Sequence, residues 1–246
     1  MTVEGEELPR PRLYLLDVEG TVAPISLVYE QLFPYARAHF AGFLRGRGDD
    51  PGVNADLALL AGENRAEQEP GHPAYRYVKG QGKSASALNY LLWLMDRDRK
   101  STALKSLQGK IWKTGFEAGE LKGTLFADVP AALKRWAAEA RTAIYSSGSV
   151  QAQQLLFRYS TYGDLTPLIA GYFDTRTGAK TSAASYAAIA AAMHVGPEEV
   201  LFLSDAVPEL DAAREAGCHT RLVVREGNAP VPDARLHVVV ESFELL

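Results

Sequence analysis

The stretch LYLLDVEGT, residues 13–21, sets two carboxylates, Asp17 and Glu19, two positions apart at the end of a short apolar run. Such a run reads as a buried strand, and Gly20 permits the sharp turn out of it. Open parallel α/β sheets bind their ligands at the C-terminal ends of strands. Two ionised carboxylates held at about 4 Å repel each other by about 4 kcal/mol at an effective dielectric near 20. The pair therefore calls for a cation, a shared proton or strong hydration. Taken alone, these nine residues also read as a solvated acidic turn.

Three further polar signals follow. Ser146, Ser147 and Gly148 end the run TAIY, Lys180 precedes SAASYAAIAAAM, and Ser204 and Asp205 end VLFL, with Glu209 shortly after. Singly, Ser146 and Ser147 read as helix caps, Lys180 as a solvated charge and Asp205 as an N-cap. Gathered on one rim of one sheet, they suit a phosphate monoester. Asp17, Glu19 and Asp205 offer the hard oxygens that Mg²⁺ prefers. Ser146, Ser147 and adjacent amides at a helix N-terminus suit phosphate oxygens, and Lys180 adds a point charge. Three carboxylates and a phosphate share a pocket only with a cation present. General acid–base help supplies only about 10²- to 10⁴-fold, against up to about 10²¹ for phosphate-monoester hydrolysis. A covalent carboxylate nucleophile with electrostatic stabilisation of the transferring group supplies more.

The elements that must position these groups are legible on either side of a break. A first strand covers about Leu13 to Asp17. From Leu27 to Gly119 the patterns are helical: Leu32, Phe33, Ala36, Phe40, Phe43 and Leu44 recur at helical spacing, as do Leu88, Leu91, Leu92 and Met95. Between them residues 63–84, polar and rich in breakers, read as a loop. After Gly119 strands and helices alternate. Asp128 is the expected N-cap of AALKRWAAEA and Ser149 that of VQAQQLLFRY, with Gly217 at C′ of a helix from Pro208 to Ala216. TAIYS, VLFLS, RLVV and HVVV are the expected strands. The alternation implies an α/β fold, a doubly wound Rossmann-like parallel sheet with an inserted helical domain. The expected division is 1–26 and 119–246 for the core and 27–118 for the insert.

The chain has 246 residues, 47% hydrophobic and 23% charged, with a net charge of −4. That is enough for one large domain or a domain with an insert. Interspersed charge argues against a nucleic-acid binder. The acidic, polar residues 1–11 read as a flexible lead-in without a secretory leader, and no stretch reaches the roughly 18 apolar residues of a membrane span, which points to a cytoplasmic protein without membrane contact. Cys218 is the single cysteine and reads as a packing residue. None of the five histidines has metal-ligand spacing, and His39 falls on the apolar helical stripe around Phe40.

These segments, in this order, resemble the haloacid-dehalogenase-like phosphohydrolases. A Glu at the second acidic position, where that superfamily usually has Asp, resembles one branch, the enolase-phosphatases of methionine salvage, also called acireductone synthases. PISLVYEQLFPYA, DRKSTALKSLQGKIW, LFADV, YSSGS, GYFDTRTGAK and FLSDAVPELDAA point the same way. The resemblance implies a helical cap after the first strand, and conversion of 2,3-diketo-5-methylthiopentyl 1-phosphate to 1,2-dihydroxy-3-keto-5-methylthiopentene and phosphate. It implies Mg²⁺, with Asp17 as nucleophile and metal ligand, Glu19 as acid/base with its backbone carbonyl on the metal, and Asp205 as the metal-binding acid. Ser146, Ser147 and Lys180 would bind the phosphoryl group. SDxxxE departs from the usual GDxxxD, so Glu209 either touches the metal shell or orients water and Lys180. Gln108, Lys110 and Trp112 are candidate substrate contacts, although Trp112 reads first as a core or hinge-packing residue. The resemblance further implies a monomer. The competing readings are another phosphatase of the superfamily, acting on a different small phosphorylated metabolite, and a catalytically silent binding protein.

Overall fold

The computed structural model describes residues 10–47, 49–77, 85–230 and 237–246. The expected lead-in over residues 1–9 and residues 78–84 of the polar stretch lie outside them. The chain divides into two compact units, one made of the residues up to Val28 with Lys122–Leu246, the other of Tyr29–Leu121.

The first unit is built on a six-stranded parallel sheet: β1 (Leu13–Leu16), β2 (Arg141–Tyr145), β3 (Gly171–Phe173), β4 (Val200–Ser204), β5 (His219–Val223) and β6 (Val238–Val240), in the order β3-β2-β1-β4-β5-β6. The order reverses at β1, the switch point where such sheets open a crevice. β1 pairs with β2 from Leu13↔Arg141 to Leu16↔Ile144, and with β4 from Leu13↔Val200 to Leu16↔Leu203. The amide of Asp17 extends this ladder to the carbonyl of Leu203 at 2.9 Å.

Side chains alternate across each strand. Leu13 and Leu15 of β1, Ala143 and Tyr145 of β2, and Phe202 of β4 share one buried cluster with Tyr186, Ile189 and Leu210. Those last residues belong to α7 (Ala183–Ala192) and α8 (Val207–Glu215), in the numbering used below. Tyr14 faces the other way and stacks on Trp136 with centroids 4.1 Å apart. Helices therefore cover both faces. Trp136 ends α5 (Val129–Trp136), and α6 (Val150–Arg158) follows β2. Ser149 caps α6 as expected, accepting from the amide of Ala152. Gly217 closes α8 with φ of +94°, the left-handed C′ conformation.

Two expectations change. β3 is an additional strand, too short to be read from GYF alone. Asp128 makes no capping bond; its carboxylate accepts instead from Arg225, Ser242 and the amide of Phe243, an array of donors that outbids its own helix.

The second unit is helical among its described residues: α1 (Phe33–Gly46), α2 (Pro51–Ala66), α3 (Ala85–Asp96) and α4 (Thr102–Glu117). Ala36, Phe40 and Leu44 form the buried stripe of α1. Its neighbour His39 is exposed and stacks on Tyr35. Residues 63–66, expected as loop, are the last turn of α2. Glu63 there accepts from the hydroxyl of Ser101 and the amides of Thr102 and Ala103, so polarity served a neighbouring helix start rather than solvent. Lys110 pairs with Asp56, and Trp112 is buried with its indole N–H donating to the carbonyl of Leu32. Both are thus occupied in holding this unit, and Gln108 is buried in α4. No helix among the described residues is long and apolar enough to cross a membrane.

Candidate active site

Three strand ends of the first unit, with the loop of Lys180, carry the polar groups. β1 runs into Asp17, whose buried carboxylate accepts from the amide of Val18 at 2.7 Å. The ammonium of Lys180 lies 2.6 Å from Asp17 Oδ1 and 2.7 Å from Glu209 Oε2. β4 ends in Ser204, whose hydroxyl bridges Asp17 Oδ2 at 3.2 Å and Glu209 Oε2 at 3.0 Å. β2 runs into Ser146, whose hydroxyl reaches Glu19 Oε2 at 3.2 Å and accepts from the amide of Gly148 at 3.0 Å. Asp205 lies against the turn that follows Glu19: a Cβ on Gly20 would stand 2.2 Å from Asp205 Oδ2.

The structure therefore gathers Asp17, Glu19, Ser146, Lys180 and Asp205, and adds Ser204 and Glu209. Ser147 is exposed on the same turn as Ser146. The plainer readings fail for two residues. The Lys180 side chain is only 9% exposed, and the N-cap of α8 is Ala206, not Asp205.

Lys180 sits on a loop, yet its backbone is fixed. The carbonyls of Gly178, Ala179 and Lys180 accept in turn from the hydroxyls of Tyr145, Ser185 and Tyr186. Burial pushes both phenols up, so they remain donors. Sequence reasoning missed these three residues, although Ser185 and Tyr186 interrupt an alanine-rich helix and so stand out. Asp174, at the end of β3, was missed with its strand; it accepts from the amide of Val150 at the start of α6.

Four carboxyls thus face one ammonium. Among the described residues Lys180 is the only basic side chain ion-paired with any of them. Burial, then the charge of Asp17, raises Glu19 above the usual carboxylate range. The same two causes push Asp205 up to about 6 and Glu209 up to about 7. Lys180 is held well above its ordinary value by Asp17 and Glu209 despite the opposing effect of burial.

No group of three His, Cys, Asp or Glu side chains suited to a metal occurs among the described residues. The donor set present is smaller: the carboxylates of Asp17 and Asp205 and the carbonyl of Glu19. The carbonyls of Val18, Gly20 and Thr21 all accept hydrogen bonds, whereas that of Glu19 accepts none from a described residue. Its peptide is fixed because the Gly20 amide donates to Ala23 at 2.8 Å, and in a trans peptide the carbonyl then points the opposite way. Two carboxylates and a carbonyl, all oxygen, fit Mg²⁺, which keeps several waters and uses few protein ligands.

Residues 11–217 match the family model of haloacid dehalogenase-like hydrolases. Enolase-phosphatase E1 of Synechococcus elongatus is 56% identical over 219 residues, spanning 88% of this chain and 90% of that one. Enolase-phosphatase E1 of Leptospira borgpetersenii is 43% identical over 234 residues, 94% and 96% of the two chains. Among solved structures, the UTR4 protein of Saccharomyces cerevisiae superposes with a TM-score of 0.78 at 39% identity, covering 96% of this chain and 100% of that one. The chain belongs to the haloacid dehalogenase-like hydrolases and, within them, to the enolase-phosphatase E1 family.

Proposed function

We propose that the protein is a Mg²⁺-dependent enolase-phosphatase acting on 2,3-diketo-5-methylthiopentyl 1-phosphate, releasing the acireductone and inorganic phosphate as a step of methionine salvage. The observation that carries this reading is the bridging of Asp17 and Glu209 by Lys180 beside the Ser146 turn, in a chain so similar to named enolase-phosphatases. Asp17 Oδ attacks phosphorus, the ester oxygen leaves, and an aspartyl-phosphate forms that water then hydrolyses. Lys180 and the hydroxyls of Ser146 and Ser147, with the amides at the start of α6, hold the phosphoryl oxygens. Asp17, Asp205 and the Glu19 carbonyl would hold Mg²⁺, which when bound offsets the excess negative charge and acts as a Lewis acid.

Glu19 serves as acid/base. Burial, then the charge of Asp17, raises its carboxyl above the usual carboxylate range, which favours a group that both takes up and releases a proton. Enolisation moves a proton from the carbon bearing the phosphate ester to the adjacent carbonyl oxygen, and Glu19 is the base: like Asp205 it has no ion-pair partner among the described residues, but unlike Asp205 its carboxylate is not assigned to the metal. Ser146, bonded to Glu19, fixes where that carboxyl stands. The partner is a small phosphorylated diketone, and the chain acts as a monomer in the cytoplasm.

The test is an assay of the purified protein with the diketo phosphate, following the ultraviolet absorbance of the enol product together with phosphate release. Both signals, dependent on Mg²⁺, are the expected result. Phosphate release from generic aryl phosphates with no turnover of the diketone would replace this substrate with another.

A further inference from the structure

The turn that carries Glu19 is gripped by one loop after β5. Asn228 Nδ2 donates to the Gly20 carbonyl at 2.9 Å, and Arg225 Nε donates to the Thr21 carbonyl at 3.2 Å. Arg225 is itself immobilised. Its guanidinium lies between the rings of Phe126 and Phe243, 4.7 and 4.5 Å from their centroids, and pairs with Asp128 at 2.8 Å. The loop is therefore an anchored clamp rather than a passing segment.

Asn228 has a second feature. Its Oδ1 is buried and meets no donor among the described residues. It lies 3.1 Å from the point where a Gly20 Cβ would stand, a point that is 2.2 Å from Asp205 Oδ2. Two oxygens that can only accept thus crowd one spot. A buried acceptor without a donor is destabilising, and a water polarised by a divalent cation is a donor that would serve both.

We propose that Asn228 is a positioning residue for the divalent-cation site: its amide fixes the Glu19–Gly20–Thr21 turn, and its Oδ1 accepts from a water on the cation held at Asp205. The inference rests on the metal-dependent reading above. Outer-shell partners of this kind change metal affinity by about 10- to 100-fold when removed. Because Asn228 acts through the cation and the turn, its loss is read directly as weakened metal binding in the absence of substrate.

Calorimetric titration of Mg²⁺ into the metal-stripped full-length protein, without substrate, tests this. The expected result for Asn228→Ala is binding weakened by about tenfold or more, in a variant whose cooperative metal-free urea unfolding shows that it is folded. Affinity equal to that of the unsubstituted protein, in a folded variant, overturns the proposal. Should Asn228→Ala not fold, Asn228→Ser, too short to span both contacts, gives the same comparison. Asp205→Asn separates the two levels. If the unsubstituted protein binds Mg²⁺ and Asp205→Asn does not, while Asn228→Ala binds normally, only the role of Asn228 falls. If the unsubstituted protein binds no Mg²⁺, the metal reading and the proposal fall together.

Discussion

Gly20 and Asp205 are in contact only because Gly20 has no side chain: a Cβ would stand 2.2 Å from Asp205 Oδ2, and the residue holds φ at +72°. The turn after the catalytic strand and the acid after β4 are thereby brought together from opposite ends of the sequence. Gly20→Ala should both strain the backbone, by about 1 kcal/mol or more, and displace Asp205. The expected outcome is at least about 100-fold loss of kcat with a raised Mg²⁺ requirement, a scale set by small misplacements in active sites. Steady-state kinetics across a Mg²⁺ series check it.

Among the described residues, Lys180 is the sole cation paired with Asp17 and Glu209. Truncating one partner of a buried pair costs about 3–5 kcal/mol, because the remaining charge loses its counter-ion. Lys180→Ala should therefore lower stability by that order and remove phosphate release. Thermal unfolding and a phosphate assay measure the two effects separately. Lys180→Arg should not restore activity, since a planar guanidinium cannot take the place of a compact ammonium.

Tyr186 donates to the Lys180 carbonyl at 2.7 Å. Tyr186→Phe removes one hydrogen bond at a cost of about 1 kcal/mol while keeping the ring in the core. The Lys180 loop should loosen, with KM for the phosphorylated substrate rising about tenfold at most. An unchanged KM would mean that Tyr145 and Ser185 hold the loop unaided.

Glu209 is pushed up to about 7, first by burial and then by Asp17. A carboxyl whose folded value exceeds its unfolded one binds its proton more tightly in the folded state, so stability falls as pH rises between the two values. Metal-stripped protein should lose stability from about pH 4.5 to about pH 7, and Glu209→Gln should flatten that decline. Urea unfolding at a series of pH values decides it, and a slope unaltered by the substitution would assign the decline elsewhere.

The catalytic rim was legible in the sequence because each strand end switches abruptly from apolar to polar: Leu16 to Asp17, Tyr145 to Ser146, Leu203 to Ser204. Continuous apolar runs, as in strands buried on both faces, mark such switches without any tertiary knowledge. What supports the rim was not legible. Tyr145 aims its hydroxyl at a carbonyl 33 positions on, Ser185 and Tyr186 reach back six positions from α7 to the loop before it, and no local periodicity records either. Arg225 and Asn228 lie some two hundred positions from the turn they hold. Asp128 looked like a helix cap because the rule is local, and long-range donors from Arg225 and Phe243 took its oxygens instead.

The central claim is that the phosphoryl group passes onto the carboxylate of Asp17. Rapid quench during turnover, borohydride reduction and tandem mass spectrometry of the peptide spanning residues 13–21 test it directly. The expected result is reduction of the acyl phosphate to homoserine at position 17, dependent on substrate and absent from Asp17→Asn, whose phosphate release should fall by more than about 10³-fold. An unmodified Asp17 in protein quenched while turning over, or a label on Glu19 or Asp205 instead, would contradict it.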